Sequence, residues 1–401
     1  MNAIQTQILK LFSGLWILLM ITGNLYAQEG PGGVGNDSNI KLWLRADDLS
    51  LSNDDPVTTW PETSGNDNDA TQSGTARPTF KTDQVNGLPA LYFDEQDDKF
   101  QNICELTNQN ITTFFVFNHG MDGTTNLGRG PVYVTASDID SRFQGFYPDY
   151  DGNYYLAAKS WITGTSNYYD DTWWIVSARH SSDLTEIFKN GDRHNHTSEN
   201  TILLGNVDIG YRDWNGDHYR GYISEGIIFH YAINDAERII VENYLGAKYN
   251  LSVENDYYAY QSTYGNELAG IGRVDASNEH TESQSAKMLT ISNPTDLDDN
   301  EFLFFGHNDS TATWTTTETP HAGNYTKRLK REWRINRTGN LGTLTFKVDT
   351  TLLPSKPAGY ENYVIWVDHD NDGDQDFSTN SVDEYYLSLN GDQYEVSGVQ
   401  I

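Results

Sequence analysis

The stretch VDHDNDGDQDF (367–377) sets an aspartate at every second position: Asp368, Asp370, Asp372, Asp374 and Asp376, with Gly373 among them. Closely spaced carboxylates supply hard oxygen ligands, and calcium takes about six to eight of these. Counted from Asp368 as the first position, the aspartates fall at the first, third, fifth, seventh and ninth, with Gly373 at the sixth. That is the register in which an EF-hand-like loop offers its ligands and turns sharply. The twelfth position is Thr379 rather than a bidentate glutamate, so Asp383 or Glu384 would have to fold back to replace it. YVIWV leads into the loop as a strand, not a helix. The expectation is a structural calcium loop in a β context. The competing reading is a solvated turn in an acidic protein.

Other constellations bear on catalysis. A retaining glycosidase on a β scaffold needs two carboxylates on one face, a nucleophile and an acid. Asp138-Ile-Asp140 has paired aspartates without a flanking glutamate, and Glu95-Gln-Asp97-Asp98 sits at a strand end without a second glutamate. In a chain with 57 Asp and Glu, acid pairs arise by chance. His194-Asn-His196 lies in a stretch that reads as a polar loop, with no third ligand at a recognisable spacing. Gly270-Ile-Gly272 lacks the third glycine and following helix of a dinucleotide loop. No Gly-x-Ser-x-Gly elbow is present, and Cys104 has no recognisable partner. The basic run KRLKREWR (327–334) reads as charged side chains on a solvated sheet face. No catalytic residue is assigned, and the chain is expected not to be an enzyme.

Aromatic residues are the better pointer to a ligand. FYPDYDGNYYLAAKSWITGTSNYYDDTWW (146–174) and YRDWNGDHYRGY (211–222) mix Tyr and Trp with Asp, Asn and Gly. Sugar rings stack their C–H faces on such rings, and recognition usually sits on loops of a rigid scaffold. Trp161, Tyr168, Trp214 and Tyr219 are the candidate ligand-binding residues. The competing reading is ordinary core or sheet-face packing.

The elements that must carry these residues are short strands. The chain has 401 residues and a formal net charge of -31, which disfavours nucleic acid as a partner. Its 13% aromatic content argues against disorder. Lys10, the apolar run LFSGLWILLMITG (11–23) and LYA before Gln28 read as a signal peptide cleaved after Ala27. No later stretch is apolar enough to span a membrane, so a secreted or surface location is expected. The single cysteine excludes an internal disulfide. IKLWLRA (40–46), PALYF (89–93), ITTFFVFN (111–118), GPVYVTA (130–136), TWWIVSA (172–178) and TEIFKNG (185–191) read as strands. Asn190-Gly191 suits a type I′ hairpin turn. NDAERIIVENYLGAKYN (234–250) reads as one packing helix with Asn234 as N-cap, Glu237 completing a capping box and Asn250 as stop. AKMLTISN (286–293), EFLFFGHN (301–308), REWRINRT (331–338), GTLTFKVD (342–349) and YVIWVDHD (363–370) form a second β-rich segment. The chain stops at YEVSGVQI, within what reads as another strand, as expected of a domain truncated at its C-terminus.

Residues about 31–250 resemble the LamG-like, concanavalin A-type jelly rolls of bacterial surface proteins. PGGVG, LWLRAD (42–47), Trp60 through SGNDNDA (64–70), NGLPALYFD (86–94) and GYISEGIIFHYAINDAERIIVENYLGAKYN (221–250) carry the resemblance. Residues 257–349 resemble the uncharacterised β-domain that follows such jelly rolls in adhesins exported by the type nine route. ELAGIGRVDASNEHTESQSAKMLTISN and KRLKREWRINRTGNLGTLTFKVD carry that second match. The resemblance implies an all-β fold with a signal peptide (1–27), a jelly-roll sandwich closed by one helix (28–250) and a second β-sandwich-like domain (256–401). It also implies that carboxylates around Ser64–Asp69 and Glu225 hold a structural calcium. The expected function is non-catalytic binding or adhesion at the cell surface, with glycans as partner and calcium as a structural cofactor. The alternatives are a glycan-degrading enzyme or its accessory module, and a structural spacer of a large adhesin.

Overall fold

A computed structural model describes residues 30–119, 130–135, 144–148, 153–158, 160–165, 172–181, 184–197, 205–212, 216–320, 326–369, 377 and 382–401. Strands dominate, in antiparallel pairs, as expected of an all-β sandwich protein. Among the described residues, no helix is long and apolar enough to cross a membrane.

The largest sheet runs in the order Asp192–Thr197, Leu184–Lys189, Trp173–Ser181, Ile111–Asn118, Arg220–Phe229, Leu88–Asp94, Thr79–Val85. Arg220–Phe229 changes partner along its length. Its first residues pair with Leu88–Asp94, and Glu225 to Phe229 pair with Ile40–Arg45. A second sheet orders Ser160–Thr165, Asn153–Ala158, Gln144–Pro148, Val132–Thr135, Asn206–Ile209. Leu91, Phe93, Phe115, Phe117 and Val176 of the first sheet pack with Val132, Val207 and Ile209 of the second.

The other face of the large sheet is covered too. Phe114, Val116, Ile175 and Ile227 pack against the helix Asp235–Tyr249. This explains why ITTFFVFN shows no alternation: all eight of its residues are buried, because both faces of the strand are covered. Ile40 and Trp43 lie on the helix side while Leu42 and Leu44 face the sandwich core, a break in parity made by an irregularity between Ile40 and Leu42.

The helix begins as the sequence requires. The Asn234 side chain accepts from the Glu237 N–H, and Glu237 reaches back to the Asn234 N–H at 2.9 Å. It ends at Asn250 in the left-handed region. It does more than close the first unit, because its far side packs on Tyr258, Leu268, Phe302 and Phe304 of the second. The helix is thus a buried layer between two sandwiches. In the second unit, one sheet orders Asn278–His280, Asn266–Asp275, Glu301–His307, Trp333–Thr338. The other orders Glu282–Ser285, Leu289–Ser292, Leu344–Val348, Gln393–Val399, Ser388–Asn390. Ile271, Ile291, Leu303, Phe305 and Phe346 fill the space between them.

Candidate ligand cleft

Of the four aromatic candidates, only Tyr219 has a described side chain. Tyr168 and Trp214 lie outside the described residues, as does the side chain of Trp161, whose backbone is in the strand Ser160–Thr165. Tyr219 is corrected from a stacking surface to a core residue. It is 1% exposed, packs edge-on to Phe93, and its hydroxyl donates to the Asn118 carbonyl at 2.9 Å. A sugar cannot reach that ring.

Of the calcium-loop residues, Asp370, Asp372, Asp374 and Asp376 lie outside the described residues, as does Thr379. Asp368 ends the strand Val364–Asp368 and is half-buried. His369 follows it, with Nε2 3.1 Å from Asp383 Oδ2. The Glu225 carboxylate has its oxygens filled by the protein. Oε1 accepts from Trp43 Nε1 at 2.7 Å and the Tyr244 hydroxyl at 3.1 Å; Oε2 accepts from Lys248 Nζ and the Tyr249 hydroxyl, both at 2.8 Å. The Ser64–Asp69 turn is organised around Glu62, whose carboxylate accepts the backbone N–H groups of Trp43, Ser64, Gly65 and Asn66. Glu225 and Glu62 thus each have protein donors on both carboxylate oxygens.

His194 and His196 belong to the strand Asp192–Thr197 rather than to a polar loop. Gly270 and Gly272 are mid-strand, where a Cβ at Gly272 would fall 2.1 Å from the Phe302 ring. A different acid cluster emerges at the turn after Leu88–Asp94. Carboxylate oxygens of Asp94, Asp97 and Asp98 lie within 4.8 Å of one another. Asp98 is buried, and that burial, with the Asp94 charge beside it, raises its pKa to about 7.

The basic run holds the largest departure from expectation. KRLKREWR is not one solvated strand. Arg328–Leu329 pairs with Trp314–Thr315, the chain then bends, and Trp333–Thr338 pairs with Glu301–His307 as the edge of its sheet. Between that edge and the hairpin of Val364–Asp368 and Val382–Tyr386 opens a cleft of about 930 Å³. Its apolar lining comes from the sandwich core, with Leu289, Phe346 and Val348. Rings in its lining include Tyr260, Trp314, Trp333, Tyr360, Tyr363 and Trp366. Hydrogen bonds fix two of the indoles. Trp314 Nε1 donates to the Ser355 carbonyl at 3.1 Å, and Trp333 Nε1 to Ser285 Oγ at 3.0 Å. Trp314 also lies nearly parallel to Tyr363, centroids 6.5 Å apart.

Cations stand beside these rings. Arg334 lies 4.7 Å from the Tyr260 centroid, Lys356 4.8 Å from Tyr363 and Lys327 5.6 Å from Tyr360. Arg328 is neutralised by Glu332 and Glu318. Glu332 also accepts from Tyr264, and its burial raises its pKa against the lowering pull of Arg328. Burial lowers the pKa of the adjacent His307 to about 4, helped by the Arg331 charge, so that imidazole is neutral at pH 7.

A family model described as a domain of unknown function (DUF8202) matches residues 237–401. The matched segment therefore starts inside the helix. No curated protein matches the chain. Among solved structures, domain 4 of an extracellular GH43 arabinanase from Geobacillus stearothermophilus, bound to arabinotriose, is similar at TM-score 0.38 and 13% identity, over 51% of this chain and 97% of that one. The Trypanosoma rangeli sialidase with the inhibitor DANA is similar at TM-score 0.34 and 11% identity, over 50% of this chain and 32% of that one. The Ruminococcus gnavus IT-sialidase CBM40 bound to alpha2,3 sialyllactose is similar at TM-score 0.28 and 14% identity, over 33% of this chain and 80% of that one. The chain thus spans about a third of the length of the sialidase.

Proposed function

We propose that the chain is an exported, non-catalytic carbohydrate-binding protein that holds its ligand in the cleft of the second sandwich. The cleft carries this reading. At about 930 Å³ it falls within the range of small-ligand sites, about 300–1,000 Å³, which combine apolar and aromatic walls with a few placed polar groups. Two of its indoles, Trp314 and Trp333, are held in orientation before any ligand arrives, which lowers the entropy lost on binding. Such rings offer flat apolar faces to the C–H side of a sugar.

Binding without cleavage is supported by the state of the carboxylates. Hydrolysis of a glycosidic bond uses two acids flanking it, one to donate a proton and one to attack or to activate water. Glu332, a half-buried acid of the cleft, is engaged by Arg328 and Tyr264. The loop from Asp368 to Asp376 is proposed to bind calcium and stiffen the hairpin bordering the cleft. The signal-like N-terminus and the jelly-roll resemblance support a surface location.

The test is a glycan array probed with the chain and with Trp314→Ala, alongside a reducing-sugar assay on the glycans bound. Binding that falls at least about tenfold in the variant, without sugar release, is expected. Absence of binding to any glycan would remove the reading. Sugar release by the chain, lost on substituting one carboxylate, would make it an enzyme.

A further inference from the structure

Resting on the carbohydrate reading, we infer that the cleft selects acidic glycans, sugars bearing carboxylate or sulfate groups. The first observation is an inversion of charge. The whole chain has 26 Lys and Arg against 57 Asp and Glu. Among the described residues, the cleft lining has six bases, Lys327, Arg328, Arg331, Arg334, Arg337 and Lys356, against three acids, Glu332, Glu361 and Asp368. A cleft drawn at random from this chain would be acidic.

The second observation is that the inversion is left uncompensated. Several bases elsewhere are held by carboxylates: Lys81 by Asp54, Arg238 by Glu242 at 2.7 Å, Arg273 by Asp299 at 2.9 Å, Lys347 by Glu282 at 2.7 Å. Among the described residues, Lys327, Arg331, Arg337 and Lys356 have no carboxylate within ion-pair distance. Arg331 is anchored by one bond only, Nε to the Ser310 carbonyl at 3.0 Å. That bond orients the guanidinium and leaves its terminal nitrogens as a fork suited to a carboxylate or sulfate.

The third observation is the pairing of three of the rings with bases. Lys327 with Tyr360, Lys356 with Tyr363 and Arg334 with Tyr260 repeat one arrangement. A neutral sugar uses the rings alone. An acidic sugar uses both, its C–H face on a ring and its anion on the neighbouring base. The negative field of the rest of the chain discourages anions everywhere else on the surface, so binding is confined to this cleft.

The experiment measures binding of the whole chain, by calorimetry, to polygalacturonate, alginate and a sulfated galactan. Each is set beside its carboxyl-reduced or desulfated counterpart. Preference for the acidic form by about tenfold is expected, from charge-assisted hydrogen bonds that the neutral form cannot make. Arg331→Gln and Lys327→Gln should each lower acidic binding towards the neutral level. Lys327 donates no hydrogen bond to the protein among the described residues, so its variant still decides the matter if Arg331→Gln does not fold. Arg273→Gln, the same charge change away from the cleft, should alter nothing. The uronate and sulfate arms identify the anion. Equal affinity for acidic and neutral forms overturns the selectivity while leaving carbohydrate binding intact. Binding to neither overturns both. Binding of poly-glutamate as tightly as the acidic glycans overturns the assignment to sugars.

Discussion

Lys248 on the helix donates to Glu225 in the large sheet at 2.8 Å, and Glu225 is 0% exposed. The ammonium also reaches Asp47 at 2.8 Å, so one side chain ties the helix to the large sheet and to the turn after its Ile40–Arg45 strand. The cause lies in spacing. Tyr244, Lys248 and Tyr249 lie on one helix face four and five residues apart and bring three donors to a single carboxylate.

Lys248→Met should therefore destabilise the chain by about 3 kcal/mol, because it leaves a buried carboxylate short of its counter-charge. Tyr249→Phe removes one neutral donor and should cost about 1–2 kcal/mol. Combining each with Glu225→Gln should give much less than the sum. Denaturant unfolding measures all of these. Additive losses in the double variants would mean that the network is not one unit.

Much of this frame was legible in the sequence. Asn234 and Glu237 marked the helix start because a capping box is a local arrangement with a fixed spacing. Asn190-Gly191 marked a hairpin because both residues take positive φ, 47° and 82°. The site was not legible, for a physical reason. Tyr219 sits in a polar-looking run, and the run does not show that the chain, between the strands Asp217–His218 and Arg220–Phe229, turns the ring inward against Phe93. KRLKREWR was visible as an anomaly, but its meaning depends on residues Trp314, Tyr360 and Trp366, which only the fold brings alongside it. Long-range assembly of a cleft leaves no periodic trace in the chain.

The pH dependence of stability should show opposed contributions. Asp98 has its pKa raised to about 7, so its contribution is full below the ordinary aspartate value and is lost as pH rises through about 7. His119, His280 and His307 have theirs lowered by burial to about 3, 4 and 4. Their contribution is present above the ordinary histidine value and is lost as pH falls towards about 4. Between pH 6.5 and 4 the histidine contributions should therefore be lost while that of Asp98 is gained. Asp98→Asn should stabilise the chain at pH 8 relative to the unsubstituted protein, with the advantage shrinking towards pH 4. An advantage independent of pH would mean that Asp98 is ionised throughout.

Calcium should raise the melting temperature. With a dissociation constant of about 10⁻⁴–10⁻³ M, as in extracellular modules, a tenfold excess over that constant adds about 1.4 kcal/mol. That corresponds to a shift of a few degrees, and Asp370→Ala should abolish it. A melting point indifferent to calcium makes the loop a plain turn. A calcium effect that survives Asp370→Ala but not Asp98→Asn moves the ion to the Asp94, Asp97 and Asp98 cluster.

Gly272 reports on the interface between the two sandwiches. Its strand lies under Phe302, and a Cβ there would fall 2.1 Å from the ring. The ring cannot easily retreat, since it stacks on Tyr257 with centroids 5.1 Å apart and lies parallel to Phe304 at 6.1 Å. Both phenylalanines belong to the cluster that holds the helix. Gly272→Ala should thus cost about 3 kcal/mol, at the upper end for overpacking. Gly391→Ala is the comparison. There φ is 61° and nothing stands within 4 Å of the added methyl, so only backbone strain opposes it, about 1 kcal/mol. Unfolding midpoints should fall further for Gly272→Ala than for Gly391→Ala. The reverse order would mean that Phe302 yields, and that the layer joining the two units is looser than its packing indicates.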